Sequence, residues 1–203
     1  NKLYGFESSG STPVFNCYDP STNKTKIISQ LNYPCQFVMG KPVRNSSGNL
    51  YGIIGNTLES NGAIMSYSFQ SNEITLLASF PQEVGPALTN LVRASNGKFY
   101  FMSGTGIACF NPALPSGQAV SLVHEIPYIL DWGGTGDLIE ISGNRLIGTF
   151  NSVITINSPS IFSYNFNTNT YTNLMNFTSN DTRYLQGVIQ SNYDQKLYGL
   201  TNA

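Results

Sequence analysis

Apolar residues along this chain come in short runs, and the runs recur in a fixed order. The clearest run is Leu3-Tyr4-Gly5, Leu50-Tyr51-Gly52, Phe99-Tyr100-Phe101, Leu146-Ile147-Gly148 and Leu197-Tyr198-Gly199, at intervals of 47, 49, 47 and 51 residues. Before the second to fifth copies stands an apolar stretch ending in a turn: VRNSSGN (43–49), VRASNGK (92–98), IEISGNR (139–145) and IQSNYDQK (189–196). After each of the first four copies comes a run that ends in an aromatic, at Cys17-Tyr18, Ser66-Tyr67, Cys109-Phe110 and Ser163-Tyr164. A last run carries matching apolar positions: Ile28, Leu77, Val123 and Leu174, then Leu31, Phe80, Ile126 and Phe177. We label the four kinds A (the 43–46 type), B (the Leu-Tyr-Gly type), C (the aromatic type) and D.

Each run is short and rich in Ile, Val, Tyr, Phe and Thr, and Gly, Asn, Asp, Pro and Ser cluster between runs. Strands joined by tight turns have this pattern. SSGN, SNGK and SGNR put a Gly in each of three A–B turns, where a positive φ costs little. No apolar stripe of 3.6-residue period reaches helical length. The repeat is therefore four antiparallel strands in about 49 residues, counted from the B-strand spacing. A lone sheet of this kind is apolar on both faces and has to stack on its neighbours. Four strands per unit of this length predict an all-β fold of β-propeller type; a linear stack of sheets and a sandwich are the alternatives. The single domain, 1–203, divides into units of approximately 1–49, 50–98, 99–145 and 146–195, plus a terminal strand, 196–203. The strand count is uneven: five B runs stand against four each of A, C and D. Either the 203 residues are cut from a longer tandem array, or one unpaired extra strand is left at a terminus, with an edge open to another chain.

Composition narrows the function. Charged residues are 10% and the net charge is −1, so no dense basic stripe exists and nucleic acid is not an expected partner. Polarity comes from 23 Asn, 23 Ser and 16 Thr. Aromatics at 12% argue against disorder. No apolar run is long enough for a membrane-spanning helix. There is no secretory leader and no initial Met, so the chain reads as a mature product or an excerpt of a longer polypeptide.

The strings LVRASNGKFYFMSGTGIACFNP (91–112) and GVIQSNYDQKLYGLT (187–201) resemble the Gloeo/Verruco (GloVer) tandem repeat of bacterial secreted and surface proteins. Ile161-Phe162-Ser163-Tyr164-Asn165, Thr170-Tyr171-Thr172 and Asp19-Pro20-Ser21-Thr22-Asn23 resemble the middle and later parts of that repeat. The similarity runs over essentially the whole chain. Departures are the family's Gly-Gly run, reduced here to Ser9-Gly10 or lost, and Phe101 in place of Gly. The resemblance implies a propeller fold and export, and it brings no catalytic residues.

Candidate chemistry is sparse. Arg44, Arg93, Glu140 and Gln190 fall at one position of the A strand. If A is innermost, they form either a polar ligand-binding ring near the axis or an internal Arg–Glu pair. Asp131, Asp137 and Glu140 flank Trp132-Gly133-Gly134-Thr135-Gly136, which holds the only Trp. That loop either offers a sugar or a calcium ion an aromatic and carboxylates, or packs its Trp at a seam. The only histidine, His124, aligns with Ser29, Ala78 and Met175 in strand D and reads as a structural surface residue. It lacks the G-x-S-x-G elbow that would support a Ser-His-Asp triad.

Cys17 and Cys109 share a repeat position with Ser66 and Ser163, which suits small buried thiols, while Cys35 falls in a D–A loop. No metal site or cofactor is expected from three cysteines and one histidine. Four sequons mark glycosylation candidates, Asn23, Asn45, Asn176 and Asn180. The expected function is a non-catalytic extracellular or cell-surface structural or adhesive module, self-assembling into a filament or layer by terminal-strand pairing. The alternatives are a carbohydrate-binding, lectin-like propeller and, more weakly, a glycoside-active enzyme.

Overall fold

A computed structural model describes residues 2–39, 41–57, 61–126, 138–150, 160–177 and 184–202. Their regular structure is all-β apart from two single 3-10 turns, Gln82–Val84 and Ser116–Gln118. Sheet one holds β1 (Leu3–Ser9), β2 (Thr12–Asp19) and β3 (Lys24–Gln30). Sheet two holds β4 (Cys35–Val38), β5 (Val43–Arg44), β6 (Leu50–Thr57), β7 (Gly62–Ser68) and β8 (Glu73–Ser79). Sheet three holds β9 (Val92–Arg93), β10 (Phe99–Ser103), β11 (Gly106–Phe110) and β12 (Val120–Glu125). Sheet four holds β13 (Leu138–Ile141), β14 (Arg145–Phe150), β15 (Ser160–Asn165) and β16 (Thr170–Asn176), and sheet five pairs β17 (Tyr184–Gln190) with β18 (Leu197–Asn202).

Every strand pair is antiparallel, and sheets three and four run in the order A–B–C–D. Sheet two keeps that order with a divided A strand, because β4 and β5 both pair with β6. Cys35 is therefore in a strand, not in a loop: its segment extends along β6, where backbone pairing satisfies polar groups that a loop would leave to water. The expected single unpaired strand is also corrected. Both outer B strands have a partner, β1 with β2 and β18 with β17. The uneven count is shared between the two ends: sheet one has no A strand and sheet five no C or D strand among the described residues.

Strand alternation explains how the sheets stack. Phe6 pairs with Phe15, Ile53 with Ile64 and Met102 with Ile107, each pair on the face toward the next sheet. The opposite face meets the preceding sheet with Gly52 opposite Met65, Phe101 opposite Ala108, and Gly148 opposite Phe162. Each of these pairs joins a small residue to a large one. A Cβ on Gly52 would lie 2.7 Å from Cδ2 of Phe6, so the glycine makes room for the ring of sheet one. In sheet three the sizes are exchanged, and Phe101 fills the seam by stacking on Phe80 at 5.0 Å. This exchange accounts for the Phe found where the repeat has Gly.

Three buried clusters fill the seams between sheets one and two, two and three, and three and four. Burial of a side chain such as Phe15, Phe101 or Phe162 stabilises by about 1.5–3 kcal/mol as an upper estimate. One irregularity recurs in all four full-length D strands. The register shifts opposite Phe15/Asn16, Ile64/Met65, Ile107/Ala108 and Ile161/Phe162, which leaves Ile28, Leu77, Val123 and Leu174 as the extra residue of a β-bulge. These are the four residues that align in the repeat. A bulge increases local twist and bends the strand, and here it does so at one place in each of the four sheets with a described D strand.

Candidate axial site and inter-sheet ties

The A strands lie on the inside of the arc, where β5, β9, β13 and β17 succeed one another as neighbours. Register confirms the shared position of the four candidate residues. Arg44 lies opposite Leu50, Arg93 opposite Phe99, Glu140 opposite Leu146 and Gln190 opposite Leu197. Two of the four turn back along their own strands. The Arg44 guanidinium donates from Nε to the Gly48 carbonyl at 3.3 Å, and Gln190 donates from Nε2 to the Gln195 carbonyl at 3.1 Å. Each reaches back into its own A–B turn.

Glu140 behaves differently. Its two carboxylate oxygens accept from the Ser95 amide at 2.9 and 3.0 Å, across the seam between sheets four and three. No Arg–Glu ion pair occurs at the axis among the described residues. The described ion pairs are Lys2–Asp19 and Lys196–Asp194, both at turns. Asp131, Trp132 and Asp137 lie outside the described residues.

The strongest polar motif is one that the sequence analysis did not single out. Tyr18, Tyr67 and Tyr164 each donate a phenolic hydrogen bond to an Asn five residues on, Asn23, Asn72 and Asn169, at 3.0, 3.0 and 2.6 Å. Each Asn sits at positive φ, between 52° and 58°, in its C–D turn. Asn tolerates that region better than most residues because its short amide can bond locally. In sheet three the aromatic is Phe110, which has no hydroxyl, and its turn is rebuilt around Ser116–Gln118. Tyrosine and asparagine thus disappear together, and that joint loss is a signal readable in the sequence. A second clamp joins the B strand to the A–B turn: Asn45 and Asn96 each donate from Nδ2 to Tyr51 and Tyr100 at 2.9 Å. At the last turn Tyr198 donates to Asp194 at 2.7 Å, which lowers the Asp194 carboxyl and raises the Tyr198 hydroxyl.

His124 is half-buried rather than on the surface. Its ring stacks on Tyr171 of sheet four at 4.5 Å with a 12° tilt, and burial holds its pKa below the ordinary value. An aromatic partner from the next sheet explains the difference from a surface position. All three cysteines are buried free thiols. Burial raises Cys35 and pushes Cys109 up to about 11, the reverse of an activated thiolate. Among the described residues no group of three or more His, Cys, Asp and Glu could hold a metal ion.

Of the sequons, Asn45 is fully engaged. Its amide nitrogen bonds Tyr51, and its carbonyl oxygen accepts from the Asn49 amide and the Ser47 hydroxyl. Asn23 and Asn176 are exposed and use only the carbonyl oxygen, accepting from Tyr18 and Asn173. Asn180 lies outside the described residues.

No protein-family model and no curated protein matches the chain. Solved structures do. The chain is similar to one in the crystal structure of a nidogen/laminin complex, with a TM-score of 0.63 at 12% identity over 99% of this chain and 70% of that one. It is also similar to an oligogalacturonate lyase in complex with manganese, with a TM-score of 0.48 and 14% identity over 91% of this chain and 54% of that one. A puromycin-hydrolyzing peptidase of Mycobacterium tuberculosis gives 0.49 and 14% over 84% and 26%. At these identities the likeness concerns fold alone, and the first of the three supports it: the chain has an all-β architecture of β-propeller type.

Proposed function

We propose that the chain is a non-catalytic structural or adhesive module, extracellular or at the cell surface, built from units of about 49 residues and self-associating through its outer sheets. One observation carries this reading: the outer sheets expose what the inner sheets bury at the same repeat position. Leu3 is 64% exposed, whereas Leu50 is 9% and Leu146 0%. Tyr198 is 51% exposed, whereas Tyr100 is 3%. Apolar surface exposed in this way gains free energy when covered. The roles of the candidate catalytic groups also support the reading. Glu140 ties two sheets and His124 stacks inside a seam, so both already have structural work. An extracellular setting draws on the GloVer resemblance and on the exposed sequons Asn23 and Asn176.

Light scattering coupled to size exclusion over a wide concentration range tests this. The expected result is a mass above that of the monomer, rising with concentration, and reduced by Leu3→Lys combined with Ile27→Lys. A single monomeric species at every concentration would contradict it.

A further inference from the structure

Glu140 shows what an A–B turn of this fold takes from the next sheet. Its two carboxylate oxygens accept from the Ser95 amide at 2.9 and 3.0 Å. Glu140 is on β13 of sheet four, and Ser95 is in the turn after β9 of sheet three. One seam earlier, Arg93 on β9 and Ser46 in the turn after β5 occupy the same two places. We propose that this earlier seam, between sheets two and three, is a binding site for a carboxylate anion. The anion sits between the Ser46 amide and the Arg93 guanidinium, where the next seam uses Glu140. Such a site lies inside the arc, not on the outer sheets, and does not require self-association.

Register and turn geometry make the two seams equivalent. Arg93 lies opposite Phe99 and Glu140 opposite Leu146, each at the first position of its B strand. Cross-strand partners share a face, and successive odd positions of a strand do too. The first B position is therefore on the face of Phe101 and Gly148, which looks to the preceding sheet, as the reach of Glu140 to Ser95 confirms. β5, β9 and β13 succeed one another as neighbours. The two turns also close alike. The Asn45 and Ala94 amides donate to the Asn49 and Lys98 carbonyls at 2.9 and 2.8 Å. The Gly48 and Gly97 amides donate back to the Asn45 and Ala94 carbonyls at 3.2 and 3.0 Å, with glycine φ of 91° and 80°. The Ser46 amide is thus aimed as the Ser95 amide is, toward the A strand of the next sheet.

The groups that meet at the earlier seam are both donors. A main-chain N–H and a guanidinium cannot bond each other, and only an acceptor joins them. Among the described residues neither the Ser46 amide nor the Arg93 guanidinium has a hydrogen bond or an ion pair. A second cation flanks the turn. Arg44 donates from Nε to the Gly48 carbonyl at 3.3 Å, which holds its charge against the turn that contains Ser46. The chain supplies no counter-charge there: Asp and Glu are absent from 20–58 and from 84–124, the segments that hold β5, β9 and both turns. A carboxylate suits these donors. Its two coplanar oxygens match the guanidinium fork and keep lone pairs for the amide, a match that a spherical anion lacks. Arg93 and Ser46 are exposed, so binding is weak and falls as salt rises.

Nuclear magnetic resonance on the full chain tests the site, with acetate as the probe at neutral pH, where carboxylates are ionised. Sodium acetate is titrated in parallel with sodium chloride at matched ionic strength. The expected result is a saturating downfield shift of the Ser46 amide proton with acetate and only a small linear drift with chloride. The Ser95 amide, already bonded to Glu140, should stay still in both titrations. Arg93→Ala should remove the saturating shift. Arg93→Glu should bring a carboxylate to Ser46 from within the chain, so that the amide proton moves downfield without acetate and no longer responds to it. Equal shifts with acetate and chloride, or an unchanged acetate response in Arg93→Ala, would overturn the site. So would an Arg93→Glu chain that keeps its other amide shifts but leaves Ser46 unmoved, because the two seams would then not be equivalent.

Discussion

At the scale of single residues, the turns are held by tyrosine hydroxyls, and this gives sharp expectations. Tyr67 is buried and its hydroxyl bonds Asn72 at 3.0 Å. Tyr67→Phe removes that bond and should cost about 1 kcal/mol. Asn72→Ala should cost more, because it orphans the hydroxyl and also places Ala at φ 58°, a left-handed conformation worth about 1–2 kcal/mol. Asn72→Gly should fall between the two, since glycine accepts the backbone but not the hydrogen bond. Urea denaturation midpoints of the three variants check this order.

Cys109 gives a pH dependence of definite sign. Its thiol is raised from 9.0 to about 11 by burial in the seam between sheets three and four. The folded state thus holds the proton more tightly than the unfolded state. The resulting stability is complete below pH 9 and is lost as pH rises toward 11. Tyr164 and Tyr171, each pushed up to about 12, continue the loss in the same direction. Cys109→Ser, which reproduces Ser66 and Ser163, should lose less stability than the unaltered chain between pH 9 and 11, measured by denaturation at stepped pH.

At the scale of elements, the strand order and most strand positions were legible in the sequence because the same apolar pattern occurs again and again. Alternation within a run marks two faces, and repetition shows that both are buried. The three predicted A–B glycines, Gly48, Gly97 and Gly143, do have positive φ. Other features were not legible in the same way. The alignment of Ile28, Leu77, Val123 and Leu174 was visible, but an aligned apolar residue looks like a core position and not a bulge, since register exists only between strands. The role of Glu140 was hidden for a similar reason. Its partner is the backbone amide of Ser95, 45 residues away, and no residue-type pattern reports a backbone donor.

The bulge itself is testable. Deleting Leu77 from β8 removes the extra residue and restores plain alternation, with Leu76 still opposite Met65 and Ala78 still opposite Ile64, so the local bend is lost but no side chain changes face. Truncation of the stacked ring, Phe80→Ala, should cost about 3–5 kcal/mol. Phe80→Ala should therefore lower the thermal midpoint far more than deletion of Leu77 or Glu140→Ala. The Ser95 amide that Glu140 caps is open to water, so that change should cost about 1 kcal/mol or less.

At the scale of the whole molecule, the fold is a succession of similar sheets, each covering the next. Stability is then local to the seams, and it should be highest where a sheet has neighbours on both sides. The central strands β6, β7, β10 and β11 meet that condition, and nearly all of their described side chains are buried. The D strands β3 and β16 and the sheet-five strands are mostly exposed where their side chains are described. Residue-resolved amide hydrogen exchange tests this organisation most directly. Protection should be greatest in β6, β7, β10 and β11 and fall away through β3, β16, β17 and β18. Uniform protection across all five sheets, or slowest exchange in the D strands, would contradict a stack of repeated sheets held together by the seams between neighbours.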